Sequence, residues 1–332
     1  MRVITTPIDL PPTLVLPNSS PLLFSLLTTQ GLIFLDAKCA ILHEQLRPRL
    51  LEGKREACDI AFADFDDVKF RIVSSPECPN IVKVNMFTRA AKELKAMGSK
   101  ELLERLFPGQ ETTPDPEYSV AIEFDCDRIV DPPAFLERVS LLKRHMMCGP
   151  MYKAFTALQA KKSEGMPVMR IDYRQGESIF VCPSATKVVV IFLVDFSDLT
   201  DKALAKVFMQ EFMEAKRTVT NAPPVSYFPR EPPAELASMA SSLRLGADTV
   251  GFISFALEER HVLGERLENS MTLLAGFRNY LHYHIKASKT YLHMRMRKRV
   301  AGWLQVLNRA IPERAAGDKE MKTITGKTFT RK

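Results

Sequence analysis

The chain has 332 residues, a net charge of +7 and ordinary globular proportions of apolar and charged residues, enough for two domains. Its apolar stretch near the N-terminus, Leu22–Leu35, is interrupted by Ser25, Thr28, Thr29 and Gln30, so it falls short of the ~18 residues that span a bilayer. Only Arg2 precedes that stretch and no A-x-A site follows it, which argues against a cleaved signal.

Six cysteines, Cys39, Cys58, Cys78, Cys126, Cys148 and Cys182, include no C-x-x-C pair. They read as reduced thiols in a reducing compartment. The charge is uneven. From Arg278 to Lys332 there are 14 Lys or Arg against three carboxylates, a net +11, so the rest carries −4. An acidic body with a basic C-terminal arm can attract nucleic acid, an anionic membrane or an acidic protein surface.

In chain order, residues 1–32 are rich in Pro, Ser and Thr and read as a poorly ordered extension. A helix follows near Phe34–Leu51, with Pro48 disturbing its end. Ile60–Val73 and Ile81–Phe87 are strand-like, the first turning at Asp66-Asp67. Ala90–Phe107 is helical with an interruption at Gly98-Ser99, where Ser99 is a candidate N-cap. Ser119–Asp125 alternates apolar and polar residues as a half-buried strand does. A helix from Pro132-Pro133 towards Lys162 should bend or split at Pro150.

The pattern then repeats. Met169–Arg174 alternates, Gln175-Gly176 turns the chain into Ser178–Pro183, and Lys187–Val194 is a continuous apolar run suited to a strand buried on both faces. Thr200 can cap a helix to Arg217, with Leu204, Val207, Phe208 and Phe212 on its apolar face. Val225–Phe228 and Val250–Leu257 read as two further strands. The expected fold is α/β (α+β): two similar α/β sandwich domains, 33–164 and 165–265, then a long C-terminal α-helix over 266–311 and a basic tail over 312–332.

No proline interrupts Arg266–Ala310, and two apolar stripes run along it. One is Leu267, Met271, Leu274, Leu281, Ile285, Leu292 and Met296; the other is Leu273, Phe277, Tyr280, His284, Ala287 and Tyr291. Two stripes are too much for one sheet face, so the other domain or a partner chain must cover the second. The competing expectation is a helix broken near Gly276 or Ser288 that folds back.

Signs of catalysis are absent from the motifs. His282, His284 and His293 lack H-E-x-x-H spacing, and no Asp or Glu lies near them on the helix, so no metal is expected. There is no G-x-x-x-x-G-K-[ST], no G-x-G-x-x-G and no G-x-S-x-G, so no cofactor and no enzyme activity are expected. Arg295, Arg297, Lys298 and Arg299, interleaved with Met294, Met296 and Val300, keep open an alternative reading as a nucleic-acid-binding module.

Phe277–Arg297, FRNYLHYHIKASKTYLHMRMR, closely resembles the long helix of the subunit 2 family of the actin-related protein 2/3 complex. So do Phe62–Asp66 (FADFD), Lys206–Phe212 (KVFMQEF), Arg230–Pro233 (REPP), Leu307–Ala310 (LNRA) and Lys319–Phe329 (KEMKTITGKTF). The resemblance runs from about Ile33 to the end; the first ~30 residues extend beyond it, and Asn279 and Ala287 stand where the family pattern has Asp and Cys. It implies a cytoplasmic, non-catalytic scaffold subunit of the actin cytoskeleton, with nucleotide bound by other subunits and not here. It implies pairing with subunit 4 through an antiparallel helix contact, support of the actin-related subunits, and contact with the mother actin filament. On that reading Phe277, Tyr280, Leu281, His284, Ile285, Tyr291 and Leu292 face the partner subunit. Arg295, Arg297, Lys298, Arg299, Lys319, Lys322 and Lys327 offer positive surface to the filament or the partner, and no nucleic acid or membrane span is involved.

Overall fold

The structure, a computed structural model, describes residues 36–215, 219, 221–243, 249–309, 321–322 and 328–329. The extension over 1–32, the start expected for the first helix at Phe34, and Lys216, Arg217, Lys319 and Lys327 lie outside the described residues. The segments Met1–Asp36 and Ala37–Lys332 form separate units, and all that follows belongs to the second.

Two five-stranded antiparallel sheets organise the chain. The first contains β1 (Cys58–Ala63), β2 (Lys69–Ser74), β3 (Ile81–Phe87), β4 (Glu111–Thr112) and β5 (Val120–Asp125), in the order β1-β2-β3-β5-β4. The second contains β6 (Met169–Arg174), β7 (Glu177–Pro183), β8 (Lys187–Val194), β9 (Val225–Phe228) and β10 (Gly251–Glu258), in the order β6-β7-β8-β10-β9. The strand order is therefore the same in both, as the repeated pattern of elements anticipates. The β1–β2 connection turns where expected: Asp66 and Asp67 both hold positive φ, 67° and 56°, a conformation that short polar side chains tolerate.

Helices α1 (Ala40–Leu51), α2 (Ala91–Leu94), α3 (Lys100–Leu106), α4 (Pro132–Ser140) and α5 (Leu142–Gln159) accompany the first sheet, and α6 (Leu199–Ala215) the second. One apolar cluster joins them. It runs from Phe70, Ile72 and Val84 through Met146, Met151 and Phe155 of α5 to Val190 and Phe192 of β8. The opposite side of β8, with Val189, Ile191 and Leu193, packs in a smaller cluster under Leu236 and Leu243. The run of seven buried residues in β8 follows from cover on both faces.

Four local expectations are corrected. Pro150 does not split its helix, which runs through it; a break falls instead at Leu141 (φ −94°, ψ 11°). Proline removes the amide that would pair with the Met146 carbonyl, and Ser99 Oγ donates to that carbonyl at 2.7 Å. Ser99 thus stands at the N-cap position of α3, but its side chain makes no cap hydrogen bond and serves as a buried cross-helix donor, an approach possible because Gly149 presents no side chain there. Thr200 lies inside α6, and the cap is Asp198, whose carboxylate accepts from Asp201 N–H at 3.0 Å. Val207 points outward at 54% exposure, while Asp201, Ala205 and Met209 take the buried side of α6.

The last helix, α7 (Glu265–Arg309), is continuous over 45 residues, about 67 Å, with no break at Gly276 or Ser288. Beyond it, β11 (Met321–Lys322) and β12 (Thr328–Phe329) pair as a short antiparallel ladder.

Candidate partner interface on the C-terminal helix

The first half of α7 is fastened to the body at four places. At its start, Arg144 of α5 donates to the Glu268 carbonyl at 3.0 Å and to Thr272 Oγ1, and Cys148 Sγ approaches the Met271 carbonyl at 3.4 Å. Next, Phe277 inserts between Phe192 and Phe255, each with its ring centroid 5.0 Å away, while Leu281 and Ile285 are fully buried below it.

The third fastening is a buried ion pair. Arg278 Nε donates to Glu177 Oε1 and Oε2 at 2.8 and 2.9 Å, and its guanidinium lies 4.2 Å from the centre of the Phe196 ring. Glu177 also accepts from Asp195 N–H and Tyr173 Oη. Burial raises the Glu177 pKa, and Arg278 with the Asp195 hydrogen bond offsets only part of that. Beside it, Asp66 meets Lys143 at 3.1 Å, Arg174 at 2.7 Å and Asn279 at 3.4 Å. Burial pushes the Asp66 carboxyl up, but the charges of Lys143 and Arg174, with hydrogen bonds from Lys143 and Asn279, outweigh it, leaving it below its ordinary value. This network ties the β1–β2 turn, α5, the second sheet and α7 together.

The fourth is a clamp at the start of α6. Lys289 reaches Asp198 at 2.9 Å and Asp201 at 3.0 Å, and Lys286 also pairs with Asp201. The hydrogen bond from Lys289, followed by that from Asp201 N–H, holds the Asp198 carboxyl down at about 2.

After Lys289 the cover ends. Every residue over 290–309 is exposed. Its large apolar side chains include Leu292 (41%), Met296 (60%), Val300 (58%), Trp303 (66%) and Leu307 (49%). At 100° per residue these five form one stripe, continuing the side on which Met271, Leu274, Leu281 and Ile285 meet the body. A solvent-facing apolar stripe of this size is a feature that interaction surfaces carry.

The seven residues expected to face a partner separate accordingly. Phe277, Leu281 and Ile285 are buried in the chain's own core, Phe277 against the second sheet and α6, whereas Tyr291 and Leu292 are exposed. Tyr280 and His284 are half-buried against α6: His284 stacks near Phe208, and Tyr280 meets Phe208 tilted and Phe212 edge-on. Val300, Trp303, Leu304 and Leu307 were missing from the expected set; continuing the step of three and four beyond Met296 finds them. Arg295, Arg297, Lys298 and Arg299 are exposed around the same segment, and Lys322 lies on β11.

Among the described residues, no group of His, Cys, Asp and Glu is placed to hold a metal ion, and no helix is long and apolar enough to cross a membrane. His282 stacks near Phe196 and His284 near Phe208. All six cysteines are free thiols.

Among the described residues, nearly half of the longest helix thus lies uncovered. Sequence comparisons identify the family. The family model described as the Arp2/3 complex 34 kD subunit, p34-Arc, matches residues 84–314. The chain is 35% identical over 300 residues to actin-related protein 2/3 complex subunit 2 of Dictyostelium discoideum, covering 90% of this chain and 99% of that protein. It is 33% identical over 322 residues to actin-related protein 2/3 complex subunit 2 of Schizosaccharomyces pombe, covering 90% of this chain and 100% of that protein. The chain belongs to the p34-Arc family of Arp2/3 complex subunits.

Proposed function

We propose that this chain is a non-catalytic scaffold subunit that pairs with subunit 4 of the actin-related protein 2/3 complex through α7. On this reading it supports the actin-related subunits and contacts the mother filament during branched actin nucleation in the cytoplasm. Family membership supports the setting, and one observation carries the pairing: the apolar stripe of α7 continues past Lys289 for about 30 Å without cover. What lacks cover is chiefly apolar, which favours a protein occupant over a nucleic acid. Tyr291 and Leu292, with the stripe below them, form the partner surface. Arg295, Arg297, Lys298 and Arg299, with Lys319, Lys322 and Lys327 of the tail, supply positive surface to the acidic filament or the partner.

The test is co-purification through an N-terminal tag, read by mass spectrometry. The wild-type chain should bring down the actin-related proteins and the remaining subunits in equal amounts. Tyr291→Asp with Leu292→Asp should abolish that recovery, since buried aromatic and aliphatic anchors concentrate binding energy at about 2 kcal/mol or more each. Normal assembly of the double variant would refute the pairing.

A further inference from the structure

Residues 290–309 extend a helix already nucleated and fastened up to Lys289, so their helicity depends on propagation alone. Twelve of the twenty residues are good helix formers, and the other eight weaken propagation. Thr290, Val300 and Val306 are β-branched, Tyr291 and Trp303 are aromatic, and Gly302 weakens the centre. No carboxylate occurs from Ser270 to Arg309, so no opposite-charge pair at i,i+4 supports this stretch. Arg295 instead faces Lys298 and Arg299 at i+3 and i+4, and its guanidinium donates to Tyr291 Oη of the same segment at 3.4 Å.

The charges also have a direction. By helical geometry, Arg295 and Arg299 border one edge of the stripe Leu292–Met296–Val300–Trp303–Leu307, and Arg297 borders the other. Positive residues along both edges of an apolar seam complement negative residues along the edges of the facing seam.

We infer that residues 290–309, helical in the structure, hold that helix stably only on assembly, against a partner helix whose apolar stripe is edged with carboxylates. The inference rests on the pairing proposed above and adds its order and chemistry. The partner supplies the apolar cover and the counter-charges that α7 lacks, so the subunit completes its own fold by docking.

Hydrogen exchange read by mass spectrometry, on the dilute full-length chain alone and on the complex recovered through it, tests the folding step. In the free chain, amides over 290–309 should exchange within about tenfold of the unstructured rate, and those over 271–285 about a hundredfold or more slowly. In the complex the distal amides should slow about a hundredfold. Equal protection of the two stretches in the free chain would overturn the folding step. For the charged edge, Arg295→Glu with Arg299→Glu should reduce partner recovery about tenfold and leave protection over 271–285 unchanged. Undiminished recovery would overturn the acidic edge. If the wild-type chain recovers no complex, the pairing fails and the acidic edge with it, while the exchange pattern of the free chain still decides the folding step.

Discussion

An alanine at position 149 would set its Cβ 2.2 Å from Ser99 Oγ and 2.4 Å from Ser99 Cα. Backbone on both sides would have to move, so Gly149→Ala should cost about 3 kcal/mol, seen as a lower urea midpoint. Ser99→Ala should cost about 1–3 kcal/mol by leaving the Met146 carbonyl buried and unpaired beside Pro150. A second residue-scale effect lies at His145, whose pKa burial, with Arg144, Arg138 and Arg105 nearby, lowers from 6.5 to about 3. The unfolded chain takes up this proton first as pH falls. The contribution is therefore whole above about pH 6.5 and lost towards pH 3, by up to about 1.4 kcal/mol per pH unit. His145→Gln should flatten stability against pH between 4 and 6.5, measured by denaturant unfolding at several pH values. Sequence alone misjudged Pro150 because the group that satisfies its orphaned carbonyl is 47 residues away.

Among the elements, the strands were the most legible. β3, β6, β8 and β9 fall where alternation or an unbroken apolar run places them, because a sheet face imposes its period directly on the residues. Helix α7 was legible for the same reason, at a period of 3.6. Which of its residues would meet a partner was not. Periodicity says which side chains share a side, not what lies opposite, so Phe277, Leu281 and Ile285 looked like partner contacts although the chain's own core buries them. The Arg278–Glu177 pair was equally invisible, since its members are 101 residues apart. Arg278→Ala should destabilise by about 3–5 kcal/mol, because it strands a buried carboxylate. Arg278→Met combined with Glu177→Met should recover most of that loss, which a double-mutant cycle in urea would measure. A full, additive loss in the double variant would show that the pair is not what joins α7 to the second sheet.

For the whole molecule, the exposed half of α7 separates folding from assembly. A chain ending at Lys289 keeps every buried residue of the helix, from Met271 to Ile285. It should melt within a few degrees of the full chain, yet recover no partner subunits through its tag. Trp303→Asp should behave likewise, since an exposed substitution changes stability by about 0.5 kcal/mol or less while it spoils the seam. A chain ending at Lys289 that failed to fold would mean that the distal half supports the body after all.

The clamp at Lys286 and Lys289 has a mechanical consequence. On assembly it becomes a fulcrum, with the fastened half of the rod on one side and about 30 Å of rod that only the partner supports on the other. A tilt of about 5° there would sweep Arg309 through roughly 2.5 Å, about half a helical turn. Aiming accuracy at the far end is thus set by two aspartates at the near end.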